Sequence, residues 1–312
     1  MTTRELTAET TGPVTIDASL LEHGGVISVR AVAGCDRATL TVSTTDETGV
    51  AANAVREATL YQQGGTLSVS VRGKGGSGAG GTTIITGGGR GRVQTIIANN
   101  SGSSIQIGGN FYGGNIVSGS SEVWINGVQV SGSATVVTGA APIEIVAVVP
   151  PGSTVIGHTE SADVEAIGSF ARVSGDTQSG SVRADVAEKV TASTQSGSVT
   201  VTKAANINAR TMSGAVQLNM TDVVDAHTMS GAIDIRDFGG TARLKTMSGA
   251  IRVHATAGGD IDANSMSGSI DVTATQAALD ELLDVRPRSM SGRISVPSNR
   301  TSGDSPRRRR SF

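Results

Sequence analysis

The sequence predicts an all-β protein: a narrow parallel β-solenoid with coils of about 17 residues, a β-rich N-terminal cap and a short helix near the C-terminal end. Three observations predict it. The dipeptide Ser-Gly recurs at 179–180, 196–197, 213–214, 230–231, 248–249, 267–268 and 291–292. Between these dipeptides apolar and polar residues alternate at period 2, the signature of strands. The 312 residues include 42 Gly but only one Trp, two Tyr and four Phe, so the core must be thin and built from Val, Ile and Ala.

With the Gly of each dipeptide as position 0, successive copies are spaced by 17, 17, 17, 18, 19 and 24 residues. An earlier degenerate copy puts Ala162 in the Gly place, 18 residues before Gly180, which makes eight copies. Position +2 holds Val164, Val182, Val199, Val216, Ile233, Ile251, Ile270 and Ile294, and position −7 holds Val155, Val173, Val190, Ile207, Val224, Ala242, Ile261 and Val285. Position −5 is small except for Leu244, in the coil where position −7 shrinks to Ala242, so the volume of that layer is kept. Position −3 is always Thr or Ser. Each copy supplies two short β-branched strands joined by a Ser-Gly corner, where glycine has backbone freedom that other residues lack. One coil cannot bury its own inner face; coils stacked at about 4.8 Å bury a continuous core.

The outward columns carry charge. Position −6 reads Asp225, Arg243, Asp262 and Arg286 in the last four coils, and position +3 reads Asp234, Arg252 and Asp271. Stacked in register these signs alternate, whereas a slip by one coil sets like charges together. Position −2 reads Gln178 and Gln195, then Met212, Met229, Met247, Met266 and Met290. The period-2 rule points these five methionines outward beside the corner. They form either an apolar stripe that seats a protein partner or a second copy, or corner packing folded partly inward.

Residues 1–72 form the predicted cap, with strand-like runs PVTIDAS, GVISVRAV, ATLTVS and TLSVSVRG and a short helix or irregular strand pair in AANAVREATLYQQGG. Residues 73–135 are an insert that begins with ten Gly in 73–92 and gathers Phe111, Tyr112 and Trp124 among short strand-like runs. Residues 136–297 are the solenoid repeats. Within them TQAALDELL (275–283) places Ala278, Leu279, Leu282 and Leu283 on one helical face, a short helix expected to cover the end of the stack. Residues 298–312 form a polar tail, expected to be disordered, that carries Arg307, Arg308, Arg309 and Arg310. Residues 1–306 hold 21 basic and 27 acidic residues, so an acidic body ends in a cationic tail that offers a contact for nucleic acid or an anionic surface.

Several classes fall away. The single Cys35 forms no intramolecular disulfide. No apolar run reaches the roughly 18 residues a membrane span needs, and MTTRELTAETTGPVTID has no secretory core, so the expected address is the cytoplasm. His23, His158, His227 and His254 have no metal-ligand spacing, the Ser-Gly corners lack GxSxG context, and the Gly-rich segment has no GxxxxGK[ST]. No active site, cofactor or metal is expected, and the leading function is a non-enzymatic scaffold that binds protein. The alternative is a carbohydrate- or ligand-binding solenoid with a groove under the insert, although Phe170 and Phe238 are the only aromatics in 140–296.

The coils of the form T-x-S-G-x-[VI]-x-[VIL], preceded by IEIVAVVPPGSTV (143–155), resemble the bacterial toastrack β-solenoid family, whose members are labelled adhesins of unknown function. The likeness spans about residues 140–296, and residues 13–72 resemble the leading part of those proteins. It implies a toastrack-type stack, an adhesin-like or structural role, and no catalytic residues to transfer.

Overall fold

A computed structural model describes residues 1–72, 123–125, 128–130 and 141–297. The Gly-rich segment 73–92, the side chains of Phe111, Tyr112 and Trp124, and the tail with Arg307 to Arg310 lie outside the described residues.

Eight repeats stack as the periodicity requires. After β10 (Ser153–Thr159), six long strands run β11 (Asp163–Thr177), β12 (Val182–Thr194), β13 (Val199–Thr211), β14 (Val216–Thr228), β15 (Ile233–Thr246) and β16 (Ile251–Ser265), followed by the short β17 (Ile270–Ala274). Each pairs in parallel with the next, and equivalent residues lie directly above one another: Val216 on Ile233, Ile233 on Ile251, Ile251 on Ile270. A long strand bends midway, so its first half joins one sheet and its second half the facing sheet. Columns −7, −5, +2 and +4 fill the space between, and Ala242 and Leu244 are both buried as the compensating pair.

The Ser-Gly corners need glycine for a reason other than backbone angle. None of the seven has positive φ. A Cβ on Gly231 would lie 1.8 Å from the carbonyl oxygen of Gly214 in the coil beneath, and on Gly249 1.7 Å from that of Gly231. Backbones of successive coils therefore touch at this corner, and any side chain would push them apart. The Thr column seals the contact. Thr228 Oγ1 accepts the Gly231 N–H at 2.9 Å while donating to the Gly214 carbonyl at 3.5 Å, and Thr211 and Thr246 repeat the pattern. The buried hydroxyls are thereby satisfied twice, once within a coil and once between coils.

Added residues in the longer coils all enter the opposite corner. Gly239-Gly240 and Gly258-Gly259 bulge there, with φ +134° at Gly240 and +155° at Gly259. Phe170 and Phe238 point inward at this corner, four coils apart in one column, and are buried. They are core fillers and offer no platform for a sugar ring.

The helix of the last coil is shorter than its apolar pattern. α2 spans Gln276–Asp280, with Thr275 accepting the Ala278 N–H at 3.2 Å as its N-cap. Leu282 has φ +65° and ends it, and Leu283 begins β18 (Leu283–Ser289). Because α2 lies between β17 and β18 and packs on β16, it fills a corner and does not cover the end of the stack. At β19 (Ile294–Ser295) Ile294 remains exposed, as does Val296 beyond it.

Residues 1–72 hold more than a cap. β2 (Thr15–Leu21) and β3 (Gly25–Ala31) form a coil stacked on β10 and β11. β6 (Thr66–Arg72) and β9 (Ile143–Val149) form the coil below that, with β6 on β2 and β9 on β3. The spatial order β6/β9, β2/β3, β10/β11 departs from chain order. Closure beyond β6/β9 is antiparallel: β5 (Thr59–Gln63) edges β6, while β4 (Thr39–Thr44) edges β9 and β1 (Thr2–Thr7) edges β4. Antiparallel edges interrupt the parallel register, so another stack cannot simply continue it. α1 (Val50–Glu57) packs on this cap through Ala51, Ala52, Ala54 and Val55. In the insert, β7 (Val123–Ile125) and β8 (Val128–Val130) pair as an antiparallel hairpin.

Candidate interface along the methionine corner

Strand alternation sets the outer face of the sheet beside the Ser-Gly corners. Positions −7, −5 and −3 point inward, so −6, −4 and −2 point out. The five methionines at −2 are exposed by 49 % at Met212, 45 % at Met229, 44 % at Met247, 47 % at Met266 and 82 % at Met290. Their backbone is held by the corner ladder: Ser230 N–H donates to the Met212 carbonyl at 2.9 Å, Ser248 N–H to Met229 at 3.0 Å and Ser267 N–H to Met247 at 2.9 Å. The corner thus presents a row of thioether side chains on a rigid scaffold. Met220 is exposed as well, but on the opposite side of the coil.

A groove runs along the stack beside this row. Its floor is the Thr/Ser column, one wall is the methionines, and the other is position −4. That position holds Arg210, His227, Lys245, Asn264 and Arg288, which pair in register from coil to coil. Reading position −4 down the repeats, as positions −6 and +3 were read, would have exposed this column. Among the described residues no Asp or Glu lines the groove. Among the described residues Arg210, Lys245 and Arg288 form no ion pair, while His227 Nε2 lies 2.9 Å from Asp225.

Positions −6 and +3 alternate in charge as the sequence requires, while position −8 sets Arg172 on Lys189 and Asp260 on Asp284. Asp225 stacks on Arg243, Arg243 on Asp262 and Asp262 on Arg286, and Asp234, Arg252 and Asp271 do the same on the other sheet. Glu165 and Arg183 close an ion pair at 2.8 Å between coils, whereas Arg286 turns to Asp284 within its own strand.

The histidines do not converge. His227 and His254 occupy different sheets, and among the described residues no cluster of three or more His, Cys, Asp or Glu has metal-binding geometry. His23, in the corner between β2 and β3, is buried with its Nε2 unpartnered. Burial pushes its pKa below the usual 6.5, partly opposed by the neighbouring Glu22 carboxylate. No helix among the described residues is long and apolar enough to cross a membrane.

A protein-family model described as Toastrack DUF4097 matches residues 35–311. Comparison with curated proteins and with solved structures gives no match.

Proposed function

The chain belongs to the Toastrack DUF4097 family of β-solenoids, and on that premise we propose that it is a non-enzymatic scaffold whose methionine-lined groove seats a protein. The observation that carries this reading is the exposure of five methionines on five consecutive coils. Had they been core filler, their side chains would lie among the inner columns. Flexible, polarizable thioethers suit a surface that must fit another protein's side chains, and an aligned apolar row costs solubility without a partner. This reading covers an adhesin-like role as well as an internal scaffold, and its lone free Cys35 suits a reducing, cytoplasmic setting.

The test is the variant Met229→Glu/Met247→Glu/Met266→Glu in the full chain. The expected result is loss of protein capture or self-association, measured by pull-down from the native host and by sedimentation, with the circular dichroism spectrum unchanged. Equal capture and equal oligomeric state in a folded variant would reduce the row to corner packing.

A further inference from the structure

Two columns of the groove change character at the same coil. Position −2 passes from Gln195 to Met212, and position −4 from Ser193 to Arg210, both on entering the coil of Gly214. Both persist to the coil of Gly292, with Asn264 as the one member of the second column that has no basic side chain. Corner packing of methionine does not require its neighbour two residues away to turn basic. Arg210, His227 and Lys245 sit in register at about 4.8 Å per coil, so basic side chains follow one another along this wall with no acidic one between them. Positions −6 and +3 instead alternate acidic with basic residues from Asp225 and Asp234 onward. A body with more acidic than basic residues has gathered Arg210, Lys245 and Arg288, with no carboxylate among the described lining residues, along this methionine-walled groove.

We propose that the occupant of this groove is an acidic amphipathic helix of a partner protein, lying along the stack with its apolar stripe on the methionines and its carboxylates toward Arg210, Lys245 and Arg288. This rests on the docking role proposed above and adds the chemistry of the partner. The spacing supports a helix. Met212 to Met290 spans four coil steps, about 19 Å, which about 13 helical residues cover, and a helical pitch of about 5.4 Å nearly matches the coil spacing. Apolar residues three and four apart on such a helix would meet successive methionines, the helix-in-groove mode of recognition. The chain's own SPRRRRSF tail has the same sign as the groove, and a second copy docking groove to groove would oppose two cationic columns. A flat membrane does not reach the recessed Thr floor, and a phosphate backbone leaves the methionine wall unused.

A display library of 15-residue amphipathic helices, with the apolar stripe fixed and one flank randomised among Glu, Gln and Lys, tests this against the full chain. Retained peptides should carry Glu on that flank. The variant Arg210→Glu/Lys245→Glu/Arg288→Glu should weaken a retained peptide by about tenfold at low salt and shift selection toward Lys. Retention without flank preference, a Lys flank on the unaltered protein, or no retention would overturn the proposal. So would preferential binding of phosphatidylglycerol vesicles or duplex DNA run in parallel. If Met229→Gln/Met247→Gln/Met266→Gln abolishes retention while charge reversal does nothing, the acidic partner is wrong and the docking surface stands. If neither variant matters, both readings fall.

Discussion

Replacing Gly231 by alanine places a methyl group 1.8 Å from the Gly214 oxygen, 2.6 Å from its carbon and 2.9 Å from Thr228 Oγ1. An ordinary C···O contact needs about 3.3 Å, so the two coils must part by roughly 1.5 Å at the corner. The bonds that cross there begin at 2.9 Å for Ser230 N–H to Met212 and 2.9 Å for Val216 N–H to Ala232, and such a movement breaks both. The Thr228 bridge to Gly214 goes with them. Buried groups left unpartnered cost about 1–3 kcal/mol each and overpacking costs a similar amount, so after partial relaxation we expect a loss of about 3–5 kcal/mol. Two controls separate close approach from backbone angle. Gly152→Ala, at φ +80° with its nearest neighbour 3.9 Å away, should cost about 1–2 kcal/mol, and Gly65→Ala, with nothing within 4 Å and no positive φ, should be nearly neutral. Urea unfolding gives the ranking, and hydrogen exchange shows whether the loss centres on the coils of Gly214 and Gly231, as nearest-neighbour coupling requires. A Gly231→Ala protein no less stable than Gly152→Ala would refute the argument.

Thr228→Val removes the acceptor for the Gly231 N–H and should cost about 1–3 kcal/mol in urea unfolding, whereas Thr228→Ser should cost less, since Ser265 already fills the same role at 2.8 Å. Phe238→Ala empties a fully buried site and should cost about 3–5 kcal/mol by the same measurement. His23 has a folded-state pKa below 6.5, so the unfolded chain takes up this proton first as pH falls. Its contribution should therefore decline as pH drops below about 6.5 and level off beneath the folded-state value, and His23→Gln should flatten that part of the stability profile. A profile unchanged by the substitution would contradict the assignment. Arg252→Asp sets three aspartates in register with Asp234 and Asp271 and should lower the melting temperature slightly, with the loss shrinking in high salt.

The repeat was legible because its columns obey one rule per position. The β-branched inner positions and the Ser-Gly dipeptide place each residue of 153–296 on a face without reference to its neighbours in space. The two earliest coils escaped because they break those rules. In register, Leu20 stands where Thr159 stands, and the corner Leu21-Glu22-His23-Gly24 carries two residues more than the repeats between equivalent positions. The coil of β6 and β9 is split in sequence by the long insert, so no period links its halves. The corner glycines were recognisable, but their cause was not: close approach between coils depends on a neighbour 17 residues away. Apolar spacing alone ran α2 through Leu283, whereas pairing of Leu283 with Gly259 draws that residue into a strand. At the candidate interface the methionine row could be read directly. The basic wall was present at the same spacing in position −4, but it stands out only when both walls are seen to enclose one groove.

The stack itself bears on every other conclusion, and spin labels test it most directly. With Cys35 replaced by Ser, labels on cysteines substituted for Met212 and, in turn, for Met229, Met247, Met266 and Met290 should separate by about 4.8 Å per added coil, reaching about 19 Å at the last pair. Separations that alternate between short and long along this series would mean antiparallel hairpins, and neither the groove nor its two walls would exist.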